Sequence, residues 1–397
     1  EKPISVRDTM TMSHVEAMRQ ARGFSFHSFP VVDAEGRLIG LLTRNDFDFC
    51  ADFSRAVSEV MTRELITASP DTSIDEAYRL MLEAKKKVLP LAHLDHSLAG
   101  MYLFGDLLRI KSGRSEMHNV DAQGRLRVAA AIGVRDDAFE RLELLKGCVD
   151  VVVIDTAHGH SSAVKETLEA IKKGYDVDVV VGNVSQGVSA RELVRWGADG
   201  VKVGQGPGSI CTTRIVAGVG CPQVTAVYHA KKALEDTDVP VCADGGIEHS
   251  GDIPIAIAAG GDSVMLGKVL AGTTEAPSEI DYQFGPPMKC YRGMGSPSAL
   301  AEHRGSRERY QQENMPSRKL VPEGIEGFVP YVGDLEDIMD QWLGGLRLGM
   351  GYVGAATVEE LQKKGDFDLI SSEGLRESHP HGIERPRETP NYRRPSP

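Results

Sequence analysis

The segment GPGSICTTR, from Gly206 to Arg214, sets a thiol among two glycines and two threonines, directly after an apolar run that ends at Val203. In such a loop, neighbouring N–H groups and hydroxyls can stabilise a thiolate and anchor a substrate, so Cys211 is a candidate nucleophile. A structural cysteine sits in an apolar run instead, and Cys148 and Cys242 read as core or near-core residues of that kind. The same loop admits a second use, because Gly206, Gly208 and the carbonyls around them could ring a cation. Both uses can hold together.

Two further segments suit an anion. ADGGI (Ala243 to Ile247) and MLGK (Met265 to Lys268) close apolar runs with glycine, which lets backbone N–H groups approach a phosphate. The alternative is a tight turn with no ligand. Asp244 and Asp155 stand at strand ends, where a carboxylate can accept hydrogen bonds from ribose hydroxyls or serve as a turn or cap residue. His158 and His160 form an i,i+2 pair without a third ligand and read as polar loop residues rather than a metal site. The stretch from His303 to Gly327 is charged and helix-poor, with Arg309 and Tyr310 adjacent. By composition it is a solvated loop, and by length a candidate flap over a site.

These residues need a frame. Apolar runs predict strands over 126–133, 149–155, 177–183, 199–204, 239–246 and 262–267, and near-continuous apolar strands are those covered on both faces. Helical stretches fall between them at 136–146, 162–173, 189–196, 223–234 and 251–259. Alternation of this kind predicts a parallel sheet with crossover helices. Polar and glycine residues collect at the carboxyl end of every strand, which favours a (β/α)8 barrel over a doubly wound sheet with a single crevice. Six units are legible where a closed barrel needs eight. From Phe367 the chain becomes proline-rich, and the expectation there is an extended arm without helix that packs on a neighbouring subunit.

The N-terminal part has another rhythm. FPVVDAEGRLIGLLTRNDF (Phe29 to Phe47) aligns with LPLAHLDHSLAGMYLFGDL (Leu89 to Leu107), placing Pro30 over Pro90, Gly40 over Gly100 and Asp46 over Asp106. Each copy reads as two strands and the start of a helix, preceded by a helical stretch, and the two copies would bury their apolar faces on each other. A polar segment over 111–123 separates the parts, giving domains of 1–112 and 113–397, with a flap near 297–327 and an arm near 367–397.

Composition bounds the partners. A net charge of -12 leaves no global electrostatic case for nucleic acid or membrane binding, so an anionic ligand must be captured locally. There is no apolar stretch of membrane-spanning length and no signal-peptide pattern at the start. The six cysteines contain no C-x-x-C pair and read as reduced thiols of a cytoplasmic protein.

Taken together, GNV (Gly182 to Val184), VKVGQGPGSICTTR, ADGGI, YRGMGS (Tyr291 to Ser296), ERY (Glu308 to Tyr310), VPEGIEG (Val321 to Gly327) and ESHPHG (Glu377 to Gly382) resemble inosine-5′-monophosphate dehydrogenase. The first 110 residues or so resemble the paired CBS modules that interrupt this family's barrel. The resemblance implies oxidation of IMP to XMP in guanine nucleotide biosynthesis. Cys211 would attack C2 of the purine, hydride would pass to NAD+, and the covalent adduct would be hydrolysed with Arg309 activating water, Tyr310 supporting it and Thr213 beside the thiol. An arginine base is unusual because its ordinary pKa lies above about 12.

The resemblance also places Ser209, Asp244, Gly246, Gly267 and Tyr291 on the IMP ribose and phosphate, with Lys268 and Gly293 in the same loops, and Met294, Gly295 and Glu323 near the base. Asp155, Thr156, Asn183 and Gly204 would lie toward the dinucleotide. Carbonyls of Gly206, Gly208 and Cys211 would bind K+, completed by Glu377, Ser378 and His379 of an adjacent subunit in a homotetramer that can pair into an octamer. The CBS pair would sense purine nucleotides, with Asp46 and Asp106 near ribose positions. Three features depart from the family pattern. Lys268 stands where serine or glycine is usual, Thr156 and Ala157 replace serines, and the first two βα units of the barrel are not in the chain. The last leaves a fragment, a second chain or an inactive relative as readings. Two rivals remain open at this point: a GMP reductase, toward which YVGAA (Tyr352 to Ala356) leans, and a non-catalytic nucleotide sensor.

Overall fold

The computed structural model describes residues 3–22, 24, 26–111, 119–122, 124–283, 285–383, 389 and 391–392. It divides into two compact units, Glu1–Arg127 and Val128–Pro397. The boundary expected at 112/113 falls at 112–118, outside the described residues, as do much of the expected linker and the end of the arm.

In the first unit, β1 (Val6–Arg7) pairs in parallel with β2 (Phe29–Val32), which pairs antiparallel with β3 (Leu38–Leu42). A second hairpin joins β4 (Val88–Ala92) to β5 (Leu98–Leu103). The repeat is exact in register: Val31 faces Gly40 and Leu91 faces Gly100, and each hairpin carries one irregularity, at Val31/Val32 and at Leu91/Ala92. The hairpin turns meet, with Leu38 N–H donating to the His96 carbonyl at 2.8 Å. Helices Met12–Ala21 and Ile74–Ala84 are capped alike, by the Thr11 and Ser73 hydroxyls. Each copy has its own core, built on Phe29, Leu42 and Met12 in one and on Met81, Leu89 and Leu107 in the other.

In the second unit, β6 (Ala129–Ile132), β7 (Val151–Asp155), β8 (Asp178–Val184), β9 (Gly200–Val203), β10 (Val241–Asp244) and β11 (Ser263–Met265) form one parallel sheet whose spatial order follows the chain. It is a partial, open (β/α) barrel: among the described residues β6 and β11 do not pair. The predicted helices stand at Arg135–Leu145, Ser162–Gly174, Gly187–Arg195, Gln223–Ala233 and Asp252–Ala258. Alternate side chains of the strands, such as Val152, Ile154, Val179, Val181, Val201, Val203 and Ala243, are buried against Leu168, Ile171, Leu193 and Val227 of those helices. Each buried valine, isoleucine or leucine among them contributes roughly 1.5–3 kcal/mol on leaving water. A recurring aspartate pins the sheet. Asp150, Asp199 and Asp262, each just before a strand, accept the N–H of Val128, Val179 and Val241 at 2.8, 2.7 and 2.8 Å.

An antiparallel sheet of β12 (Ile280–Asp281), β13 (Met288–Arg292) and β14 (Glu326–Pro330) follows. Three sequence expectations are corrected here. The segment after His303 is not helix-poor, since helix Arg304–Arg309 and a short 3-10 helix at Ser317–Lys319 lie in it. The arm is not wholly extended. Helix Ser372–Ser378 forms where no proline intervenes, capped by the Ser371 hydroxyl accepting from Gly374 N–H. Cys148 is exposed rather than near-core, because Gly147 turns the chain at positive φ just before it. Among the described residues no helix is long and apolar enough to cross a membrane.

Candidate active site

Pleat alternation decides which strand side chains face the inside of the barrel. In β9, Val201 and Val203 point to the helices, so Lys202 points inward. There four consecutive strands each supply one polar group at their carboxyl ends: Asp155 from β7, Asn183 from β8, Lys202 from β9 and Asp244 from β10. Lys202 Nζ lies 2.8 Å from Asp155 Oδ1, 2.5 Å from Asp244 Oδ2 and 2.5 Å from Asn183 Oδ1. Asn183 Nδ2 donates to Asp244 Oδ2 at 2.9 Å and to the Gly204 carbonyl at 2.7 Å. Gly204, at φ +152°, runs so close to the Asp244 carbonyl that a Cβ would overlap it.

The thiol is delivered by a loop that backbone hydrogen bonds tie down. Thr212 N–H donates to the Glu323 carbonyl at 2.9 Å, Ile325 N–H to Ile210 at 2.9 Å, Glu323 N–H to Gly295 at 3.1 Å and Gly293 N–H to Ile325 at 3.0 Å. Three distant segments therefore lie side by side at Cys211. The Cys211 thiol is half-buried and donates to Thr213 Oγ1 at 3.2 Å. It is not walled into apolar packing.

Arg309 ends helix Arg304–Arg309 and reaches Asp155, with Nη1 against Asp155 Oδ2. Its backbone carbonyl accepts from Ala157 N–H at 3.1 Å, which anchors the segment to the loop after β7. Burial works against charge on both partners. The Arg309 and Lys202 charges outweigh it and hold the Asp155 carboxyl below its ordinary range, and Asp155 outweighs it at Arg309, whose guanidinium is held protonated. Nη1 is taken by Asp155, whereas Arg309 Nε is buried with no hydrogen-bond acceptor among the described residues, so one donor is left for a ligand or water. Burial also raises the Tyr310 hydroxyl; Arg309 opposes this, while Cys211 and Glu323 add to it, which marks all three as its neighbours.

Other predicted residues gather nearby. Tyr291 in β13 has Ser209 beside its hydroxyl, and burial pushes that hydroxyl up. Gly267 lies against the same oxygen, since a Cβ there would come within 3.0 Å of it. Gly245 packs on Pro207 and Gly208, which brings Gly246 and the thiol loop together. Lys268 is exposed at the start of the four-residue helix Lys268–Ala271. Met294 is exposed, while Gly293 and Gly295 are buried. Thr156 gives its hydroxyl to the Gly182 carbonyl at 2.8 Å rather than to open space. A cavity of about 490 Å3 opens beside this group, lined by Arg135, Asp137, Thr156, His158, Glu308 and Arg309 among others.

For a cation, the Gly208 carbonyl already accepts from Cys211 N–H at 3.0 Å, while those of Gly206 and Cys211 accept no backbone hydrogen bond among the described residues. Glu377, Ser378 and His379 stand apart from that loop in this chain's own contacts. Ser378 Oγ donates to the Gly374 carbonyl, and His379 meets Tyr392 and the His249 ring. No cluster of three His, Cys, Asp or Glu side chains fit for a metal ion occurs among the described residues.

Sequence reasoning passed over Lys202 and Glu308. The signal for Lys202 was a lysine between valines in a strand, a placement that requires a carboxylate partner.

A strand-end site on an open (β/α) barrel, with a half-buried thiol beside an arginine–aspartate pair, is that of a barrel enzyme. Residues 10–381 match the family model described as IMP dehydrogenase / GMP reductase domain, and the chain belongs to that family. It is an enzyme of the IMP dehydrogenase type. It is 48% identical over 396 residues to the inosine-5′-monophosphate dehydrogenase of Aquifex aeolicus, covering 98% of this chain and 79% of that protein. With the Helicobacter pylori (strain J99) protein of the same name it shares 47% identity, covering 98% and 80%. Among solved structures it is similar to a GMP reductase of Trypanosoma brucei in complex with guanosine 5′-monophosphate, with a TM-score of 0.79 and 35% identity over 97% of this chain and 80% of that one.

Proposed function

We propose that the protein oxidises IMP to XMP with NAD+, through a covalent adduct at Cys211. The observation that carries this reading is the placement of Arg309 and Tyr310 beside the Cys211 loop, with Arg309 on Asp155. Ser209, Gly246, Gly267 and Tyr291 would hold the ribose phosphate, and Asp244 the ribose hydroxyls. Gly293, Met294, Gly295 and Glu323 would face the base, fixing C2 over the thiol. Cys211 forms a bond to C2, and its proton passes to solvent, relayed by the Thr213 hydroxyl. NAD+ supplies one piece of chemistry, acceptance of the hydride that leaves C2. Thr156 lines the cavity beside Arg309, and Asp155, Asn183 and Gly204 would hold the ribose of such a cofactor from the neighbouring strand ends.

Arg309, beside Asp155, first releases its proton to solvent and, as neutral guanidine, takes a proton from water as the oxygen attacks C2. The C2–sulfur bond breaks, XMP leaves and the thiol is restored. The unpartnered Arg309 Nε supports a place for water beside it, since a water or adduct oxygen would satisfy it. The carbonyls of Gly206 and Cys211 fit K+, with Glu377, Ser378 and His379 of a neighbouring subunit completing the shell in a tetramer.

A second reading, GMP reductase, is favoured by the structural likeness to the Trypanosoma brucei enzyme. The two are separated by following absorbance near 340 nm. Production of NADH from IMP and NAD+ supports the dehydrogenase, whereas consumption of NADPH with GMP supports the reductase.

The first unit we read as a paired CBS module that binds purine nucleotides. Its cavity of about 450 Å3 lies between the two copies, with Arg44, Lys86 and Lys87 for phosphates and Thr43, Asn45 and Thr62 as hydroxyl and amide partners. Asp46 stands at its edge with Oδ2 engaged by Thr43 N–H and Oγ1 at 2.6 and 2.8 Å, and Asp106 lies in the first turn of helix Phe104–Lys111. Equilibrium dialysis with ATP and GTP tests this, and loss of binding in Arg44→Ala is the expected result.

A further inference from the structure

Lys202 has no part in the scheme above, yet it is the most deeply buried charge of the site, with its side chain 2% exposed. Its carboxylate partners, Asp155 and Asp244, stand at the ends of two strands that do not pair with each other. Asp155 is shared in turn. Its Oδ1 faces Lys202, rooted in a strand, and its Oδ2 faces Arg309, carried on the segment that follows Ser296. One carboxylate thus serves both Lys202 and Arg309, the second of which must lose its proton for water activation.

We propose that Lys202 is a positioning residue that limits how tightly Asp155 retains the Arg309 proton, and so sets the pH range in which the adduct is hydrolysed. This rests on the reading of Arg309 as the base. Alone with Arg309 in a buried site, Asp155 would keep the guanidinium charged, because an opposite charge within about 4–6 Å favours the ionised form. Lys202 draws on the same carboxylate and adds a like charge of its own, and both effects ease release of the Arg309 proton.

The charged and titratable groups around Arg309 are Asp155 from β7, Asp244 from β10 and Tyr310 next in sequence, with Lys202 from β9 on the far oxygen of Asp155. His158, Arg135, Asp136, Asp137, Arg304, Glu308 and Glu313 line the adjoining cavity. Of these, Lys202 is the one cation held by a strand. In the step itself, water oxygen bonds to C2, its proton moves to neutral Arg309, and the resulting guanidinium forms against an Asp155 already half-claimed by Lys202.

The test uses the full chain and single-turnover kinetics with IMP and NAD+, reading NADH release and adduct decay separately across pH. Lys202→Met keeps length and suits a buried position. It is expected to retain the NADH burst while the rising limb of adduct hydrolysis moves to higher pH, slowing decay about tenfold at fixed pH for each unit moved. Lys202→Arg is expected to restore the limb. An unmoved limb in Lys202→Met overturns the proposal. If Lys202→Met does not fold, as judged by circular dichroism, Asp155→Asn is read instead. It is expected to move the limb to lower pH, and an unmoved limb there overturns the proposal equally. Arg309→Ala separates the two levels: fast adduct decay in that variant removes the base reading itself, whereas slow decay there with a fixed limb in the other variants removes only the role of Lys202.

Discussion

The ring of Tyr310 lies directly on the backbone of Gly295, so that a Cβ at Gly295 would stand 2.7 Å from Tyr310 Cζ and 2.9 Å from its hydroxyl. The absence of a side chain at one residue therefore fixes how closely Arg309 and its neighbour approach the thiol loop. Gly295→Ala is expected to displace Tyr310 and Arg309. A displacement of about 1 Å costs roughly 10²-fold in a positioned step. Adduct hydrolysis, followed after the NADH burst in single-turnover kinetics, should slow by about that factor, and an unchanged rate of decay would refute the contact's role.

Cys211 donates to Thr213 in a half-buried loop, where a substrate can reach the sulfur. Cys211→Ala should abolish both turnover and covalent adduct, detected by mass spectrometry after incubation with IMP and NAD+. IMP binding should remain measurable, and normal turnover would remove the covalent mechanism.

Arg309→Ala leaves Asp155 paired with Lys202 alone. Hydride transfer should persist while hydrolysis falls by the 10²- to 10⁴-fold typical of a lost general base. The adduct should then accumulate, and rapid adduct-free turnover would contradict the assignment.

Glu308 packs its Oε2 beside Asp137 at Gly133, buried and without a hydrogen-bond partner, and its side chain is 9% exposed. Burial, and then Asp137, push its carboxyl above the ordinary range, against the pull of Arg304. The sign follows directly. Packing of helix Arg304–Arg309 is favoured while Glu308 is protonated and weakens as pH rises through the raised value. As pH rises above the ordinary glutamate value of ~4, amide exchange over Arg304 to Gln312 should quicken beyond its intrinsic pH dependence. Glu308→Gln should flatten that excess, and an unchanged excess would refute the coupling.

Leu168 is fully buried on helix Ser162–Gly174 against the sheet. Leu168→Ala should cost about 2–5 kcal/mol in urea unfolding through lost transfer energy and a residual cavity. A cost under ~1 kcal/mol would show that the open barrel repacks freely.

Much of the frame was legible before any coordinates. The valine-rich runs and intervening helical stretches named the six strands of the second unit to within a few residues, because strand and helix periods are written in adjacent side chains. The alignment of Pro30 with Pro90 and Gly40 with Gly100 likewise anticipated two hairpins of equal register. The glycine and threonine setting of Cys211 singled it out from the other five cysteines.

Tertiary structure alone decided which of these residues meet. Lys202 reads in the sequence as an anomaly between valines; only the parallel register of β7 to β10 sets it between Asp155 and Asp244. Nothing local announces that Arg309 lies on Asp155, or that Tyr310 covers Gly295, since those partners are 154 and 15 positions apart in the chain. The charged composition around Arg309 even suggested a solvated loop, and the short helix there forms because its neighbours bury it. Sequence periodicity reports the geometry of one element at a time, whereas the charges of a site are paired by the packing between elements.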